Sequence, residues 1–111
     1  KLAGRRVVVA GGNEAAVWKA ELLAAAGAEV DVIADDTCRE MLELASAPPG
    51  GTINLHCRPW AADDLAGAAF AIGAIEDDRE AAAFRDAARI AGVPVNVIDK
   101  PAFCDVQFGG I

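Results

Sequence analysis

Long apolar runs are missing from this sequence of 111 residues. Its hydrophobic stretches are short and are interrupted by charged residues or glycine, and none approaches the roughly 20 residues that a membrane-spanning helix requires. The sequence opens on Lys1 with no apolar stretch of the kind that forms a signal peptide. We therefore expect no membrane partner and a cytoplasmic location.

Basic residues are also scarce. Ten Lys and Arg stand against seventeen Asp and Glu, which gives a formal net charge of −7. A chain of this charge is repelled by nucleic-acid phosphates and by anionic membrane surfaces. The charge argues against a nucleic-acid partner.

Cysteine is present in an odd number and without paired spacing, at Cys38, Cys57 and Cys104. This usage favours reduced thiols over a disulfide framework. His56 precedes Cys57 in a predicted strand, where neighbouring side chains point to opposite faces, so we expect no dedicated metal site.

Apolar residues make up 54% of the sequence, enough for the core of one folded domain. Five short runs rich in valine, isoleucine and alanine predict strands over residues 7–10, 30–34, 52–57, 70–75 and 95–98. Helical patterns lie between some of them, over residues 14–26, after Thr37, and over residues 78–91. Thr37 and Glu40 have the spacing of a capping box, and Trp18 and Leu22 lie four apart as on one helical face.

This alternation predicts an α/β fold: a Rossmann-like, doubly wound, five-stranded parallel sheet in the order 3-2-1-4-5, with helices on both faces. Ligands in such folds bind outside the carboxyl ends of the strands, where the strand order reverses. Here that point lies between strands one and four. The residues of interest follow Ala10, Ala34, Ile75 and Ile98.

A glycine-rich turn occupies residues 11–16, between strand one and helix one, where a dinucleotide fingerprint belongs. Gly11 can supply the tight turn and Ala16 the close contact between helix and sheet. Asn13 stands in place of the second glycine; it tolerates positive φ, and its side chain would point towards the phosphates. The alternative is a helix start with a tight turn and no ligand. The candidate cofactor-binding residues are Gly11, Gly12, Asn13, Glu14, Ala15, Asp35 and Ile75.

Two carboxylates, Asp35 and Asp36, follow strand two, close to the spacing at which an acidic residue meets the adenine ribose. No Lys or Arg intervenes before Arg39 to accept a 2′-phosphate, so the predicted cofactor is NAD rather than NADP. The alternative is that one of the two carboxylates caps the next helix. The aromatic Trp60 is expected in the core or at an interface rather than against a cofactor.

The order of the motifs resembles the precorrin-2 dehydrogenase domain of siroheme synthases over essentially the whole chain. The motifs that carry the resemblance are Leu2-Ala3-Gly4-Arg5-Arg6-Val7, Gly11-Gly12-Asn13, Ala16-Val17-Trp18-Lys19-Ala20, Asp77-Asp78, Asn96-Val97-Ile98-Asp99 and Cys104-Asp105.

The resemblance implies NAD-dependent oxidation of precorrin-2 to sirohydrochlorin, with ferrochelatase activity in some members. It assigns a catalytic aspartate to Asp99, whose carboxylate can accept the proton lost when hydride leaves. The alternative for Asp99 is a solvated turn residue. In the family, the following segment supplies dimerisation and part of the tetrapyrrole site. Residues 1–111 are accordingly expected to be one NAD-binding domain of a longer, homodimeric protein.

The sequence departs from the family pattern at Asn13, Trp18, Ile75 with Glu76, and residues 109–110. Ile75 cannot donate the hydrogen bond of the threonine usual there, and Trp18 replaces a cation. These departures support an alternative function: a catalytically degenerate Rossmann module with a structural, dimerising or nucleotide-sensing role.

Overall fold

A single parallel sheet is the centre of the computed structural model, which describes residues 3–104. The strands lie side by side in the order β3-β2-β1-β4-β5, and every neighbouring pair is parallel. The predicted fold class and strand order are confirmed. The strands are β1 Arg6–Ala10, β2 Glu29–Ile33, β3 Thr52–His56, β4 Phe70–Gly73 and β5 Val95–Val97.

Three α-helices follow strands β1, β2 and β4. They are α1 Glu14–Ala25, α2 Arg39–Ser46 and α3 Asp78–Ile90, and short 3-10 turns occupy Ala62–Leu65 and Pro101–Phe103. Within residues 3–104, no helix combines the length and the apolar character needed to cross a bilayer.

Two hydrophobic cores, one on each face of the sheet, show that the fold is doubly wound. Because side chains alternate along a strand, Val7 and Val9 pack with α1 and α2, whereas Val8 and Ala10 face α3. All four side chains are fully buried. This burial explains the unbroken apolar run of β1, which is typical of a central parallel strand.

Helix α1 turns mostly small side chains to the sheet: Ala16, Ala20 and Ala24 are buried there together with Leu23. Small residues allow the helix to approach the strands closely, and no room is left for an indole ring. Trp18 and Leu22 therefore lie on the outer surface, with relative exposures of 63% and 52%. Their spacing predicted a helix correctly but does not mark its buried face.

The predicted capping box at Thr37 and Glu40 is wrong. Helix α2 begins one residue later than that spacing requires, with Cys38 as its N-cap and no side-chain cap. The Cys38 amide donates to the Gly12 carbonyl oxygen at 2.9 Å. This contact with the β1 turn fixes the helix start in place of a local cap.

Candidate functional site

The turn from β1 into α1 brings the ends of three strands close together. Gly11 has a φ of 124°, and a Cβ there would lie 2.8 Å from the Ala74 carbonyl oxygen, beyond β4. A Cβ on Gly12 would lie 2.6 Å from the Asp36 carbonyl oxygen, beyond β2. Both glycines are required because the protein's own backbone approaches so closely, and the two contacts fix the carboxyl ends of β4 and β2 beside the turn.

Asn13 caps α1 instead of replacing a left-handed glycine. Its φ is −82°, so the positive φ considered for this position is not used. Its Oδ1 accepts a hydrogen bond from the Ala16 amide at 2.9 Å, and its Nδ2 lies 3.5 Å from the Ala74 oxygen. The amides of Glu14 and Ala15, which have no acceptor within the helix, remain as donors for an anion at this helix end.

Two adjoining clefts at this edge of the sheet contain most of the predicted site residues, and smaller pockets adjoin them. The β2 cleft, of about 300 Å³, is lined mainly by Gly11, Gly12, Asn13, Asp35, Asp36, Trp60, Ile75, Glu76 and Glu80. The β5 cleft, of about 380 Å³, is lined mainly by Asn13, Ala15, Ile75, Glu76, Ile98, Asp99 and Lys100. Shared lining residues make them one crevice across the point where strand order reverses. Of the predicted site residues, Glu14 alone lines neither cleft.

The β2 cleft is acidic. Asp35 and Asp36 are exposed at its edge, and Glu76 and Glu80 lie across from β2. No Lys or Arg is among the described residues that line it. The alternative that Asp35 or Asp36 caps α2 is wrong, because Cys38 is the N-cap. A carboxylate can accept a hydrogen bond from a hydroxyl group, so this cleft suits a ligand rich in hydroxyl groups. The same carboxylates repel an additional phosphate group.

Trp60 is a wall of the β2 cleft that the sequence reasoning missed. Its ring packs edge-to-face on Phe84 with centroids 5.1 Å apart, and its Nε1 donates to Glu80 Oε2 at 2.9 Å. It packs against the core as expected, yet it also lines the cleft. The available signal was its place just after β3, because all carboxyl ends of a parallel sheet meet at one edge.

Asp99 lies in the turn after β5, exposed to solvent at the β5 cleft. With a φ of 62°, it is the one non-glycine residue in positions 3–104 that has a left-handed backbone. The next residue, Lys100, forms an ion pair with Asp78 at the start of α3, with Nζ and Oδ1 2.6 Å apart. Strained backbone of this kind is often found at functional sites. Asp105, which follows Cys104 in the resemblance, lies outside the described residues.

A family described as putative NAD(P)-binding matches residues 1–110. The chain belongs to this family. Membership confirms the predicted type of cofactor, a nicotinamide dinucleotide, at the level of the family.

Curated relatives of this chain carry the name siroheme synthase. The chain is 42% identical over 111 residues to the protein from Ectopseudomonas mendocina, and 40% identical over 110 residues to that from Stutzerimonas stutzeri. These alignments cover 100% and 99% of this chain but only 23% of each relative. The chain thus spans about a quarter of the curated proteins it matches.

A solved structure with the same fold is that of SirC, a precorrin-2 dehydrogenase. It superimposes with a TM-score of 0.72 at 20% sequence identity, over 96% of this chain and 50% of the other. At this identity the likeness establishes the fold alone, and it agrees with the observed strand order.

Proposed function

We propose that this chain is the NAD-binding domain of an NAD-dependent precorrin-2 dehydrogenase, which converts precorrin-2 to sirohydrochlorin. The observation that carries the proposal is the continuous crevice at the strand-order reversal. It has an open helix N-terminus at its centre, Asp35 at one end and Asp99 at the other. The names of the relatives and of the structural neighbour agree with this reaction.

The residues of the crevice fit the cofactor in two ways. The amide of Ala15, which lines the β5 cleft, and the adjacent amide of Glu14 at the start of α1 are the proposed donors for the pyrophosphate. Asp35, exposed beyond β2, is placed to accept from the adenine ribose, and the neighbouring carboxylates oppose a 2′-phosphate. The cofactor of the proposal is therefore NAD rather than NADP.

The reaction removes one hydride and one proton from precorrin-2. When bound, NAD⁺ would supply the hydride acceptor, with NADH as the reduced product. The proton goes to Asp99, whose exposed carboxylate lines the β5 cleft and can pass it on to solvent. Asp99 is thus the proposed catalytic residue, in contrast to a solvated turn aspartate without a role.

The test is an assay of NADH formation from precorrin-2 by the full-length protein and its Asp99→Asn variant. Asparagine tolerates the left-handed backbone but removes the base. We expect turnover to fall by about 10²- to 10⁴-fold while the Kd for NAD⁺ stays near the wild-type value.

The matched control is Asp63→Asn, which changes an exposed carboxylate on the 3-10 turn Ala62–Leu65, away from both clefts. It should leave turnover unchanged. Full activity in Asp99→Asn would remove Asp99 from the mechanism.

The second candidate function is a nucleotide-binding module without catalysis. Ile75 favours it, because this residue lines both clefts and has no hydrogen-bonding group where the family pattern has a threonine. Calorimetric binding of NAD⁺ by a wild-type full-length protein that forms no NADH from precorrin-2 would select this candidate.

Ferrochelatase activity and homodimerisation rest on the resemblance and are proposed as well. A carboxylate that accepts a proton at the β5 cleft can also take pyrrole protons during iron insertion, which would give ferrochelatase activity. Homodimerisation, with residues 1–111 as one domain, is proposed to use a segment outside this chain. The cytoplasmic location remains a prediction from the sequence.

A further inference from the structure

We propose that Cys104 is a positioning residue for Asp99, and that its sulfur holds the turn that carries the catalytic carboxylate. The inference rests on the proposed dehydrogenase function and adds a residue to it. Cys104 does not line the β5 cleft; it lines a smaller adjoining pocket of about 190 Å³ with Asp99, and it acts through the backbone on either side of Asp99.

The sulfur of Cys104 bonds to the residues that flank the turn. Val97 ends β5, an edge strand of the sheet, and its amide donates to Cys104 Sγ at 3.2 Å. The same sulfur lies 3.2 Å from the Val97 oxygen and 3.2 Å from the Lys100 oxygen. A thiol has one hydrogen, so it donates to one of these oxygens at a time while accepting from the amide.

Asp99 lies between these anchor points. The Lys100 amide closes the turn on the Val97 oxygen at 3.1 Å, and the Lys100 side chain pairs with Asp78 on α3. Cys104 therefore ties the end of β5 to the far side of the turn, and the ion pair ties the turn to the helix. Together they hold Asp99 in a left-handed conformation that an aspartate rarely adopts.

The carboxylate of Asp99 is exposed, so the backbone of its turn sets its position. A proton acceptor must lie within hydrogen-bond reach of the atom that loses the proton. A displacement of about 1 Å can lower turnover by about 10²-fold. Removing the sulfur contacts should consequently reduce turnover without altering the β2 cleft, where most of the proposed NAD contacts lie.

The experiment uses the full-length protein with Cys104→Ala, which removes donor and acceptor, and Cys104→Ser, which retains both. We expect Cys104→Ala to lower kcat by about 10- to 100-fold with the Kd for NAD⁺ unchanged, and Cys104→Ser to recover most of the loss. Cys57→Ala is the matched control, because Cys57 is an exposed thiol that lines neither cleft. It should retain full turnover.

A double-mutant cycle separates positioning from general damage to the fold. If Cys104 acts through Asp99, Cys104→Ala should have no further effect in the Asp99→Asn background. Should Cys104→Ala fail to fold, Cys104→Val takes its place in the cycle, because valine suits the extended backbone at this position and forms no hydrogen bond.

Equal losses in both backgrounds, or no loss in the wild-type background, would overturn the positioning role and leave the dehydrogenase proposal intact. A wild-type full-length protein that forms no NADH from precorrin-2 would overturn both.

Discussion

The two tryptophans of the chain have contrasting surroundings. Trp60 is fixed between Phe84 and Glu80 and lines the β2 cleft. Trp18 is exposed on α1, with Lys19 Nζ 5.6 Å from its ring centroid. A rigid aromatic wall is the kind of surface on which a nucleotide base stacks, and an indole in that position also reports on binding through its fluorescence.

Trp60 is expected to contribute to NAD binding. Stacking of a base on an aromatic side chain is worth about 1–3 kcal/mol, so Trp60→Ala should raise the Kd for NAD⁺ by about 5- to 150-fold. In a Trp18→Phe variant of residues 1–111, Trp60 is the sole tryptophan, and its fluorescence should change on titration with NAD⁺. Trp18→Phe alone should bind NAD⁺ as the wild type does. Calorimetric binding without any fluorescence change would place the base elsewhere.

At the scale of elements, three strands are joined by polar contacts on one face of the sheet. Arg6 on β1 donates from Nε to Asp31 Oδ2 on β2 at 2.6 Å, and Asn54 on β3 donates to Asp31 Oδ1 at 3.2 Å. Burial acts to raise the pKa of Asp31, but the bonds from Arg6 and Asn54 outweigh it and hold the pKa below the usual 3.8.

This network gives a pH-dependent stability. A carboxyl with a lowered pKa in the folded chain stabilises the fold above the unfolded value of 3.8, and the contribution disappears as pH falls through the folded value. Asp31→Asn should therefore cost on the order of 1 kcal/mol of unfolding free energy at neutral pH. In urea unfolding, the difference from wild type should shrink below about pH 4. A difference in unfolding free energy that is constant with pH would contradict the role of Asp31. The control is Asp63→Asn, which changes an exposed carboxylate.

The elements also show how far the sequence leads. Valine runs and glycine stops are local signals, so the five strands could be predicted. Their order followed from the alternation of strands and helices and from the handedness of the connections. The ends of β4 and β5 could not, because Ala74 and Ile98 leave the strands to form the crevice. The start of α2 depends on the contact between Gly12 and Cys38, and the outward face of Trp18 depends on how closely α1 packs. Both are tertiary effects that no local pattern contains.

The candidate site was predictable to the same degree. The glycine turn, Asp35 and Asp99 follow from where parallel strands end, and the structure places them along one crevice. Trp60 could not be predicted from the ends of strands one, two, four and five, because it follows β3 and reaches the cleft from there. The left-handed backbone of Asp99 could not be predicted, because aspartate adopts several backbone conformations and does not by itself indicate a positive φ.

At the scale of the whole molecule, the negative charge opposes its proposed anionic ligand. The chain carries a formal net charge of −7, and the β2 cleft adds carboxylates beside the place proposed for the pyrophosphate. No Lys or Arg is among the described residues that line the β2 cleft, and Lys100 at the β5 cleft is paired with Asp78, so backbone amides are the proposed donors for the phosphates. Most anion sites weaken as salt is added, because the attraction that builds them is screened.

Here the opposite dependence is expected. Raising the salt concentration from about 0.01 M to 0.15 M shortens the Debye length from about 30 Å to about 8 Å and screens the repulsion. The Kd for NAD⁺ measured by calorimetry should therefore decrease with added NaCl. Glu76→Gln, which removes a carboxylate common to both clefts, should reduce this dependence. Weaker binding at higher salt would show that the local field of the helix N-terminus dominates.

The left-handed backbone at position 99 also bears on how the proposed activity can be lost. An aspartate codon becomes an asparagine or a glycine codon by one base change, and these residues suit a positive φ best. Alanine and valine are equally near in the genetic code but are strained there. Drift can therefore erase the carboxylate in one step, leave a well-folded dinucleotide domain, and restore the carboxylate by the reverse step. Among descendants of such a protein, catalytic activity could be lost and regained while the fold stays the same.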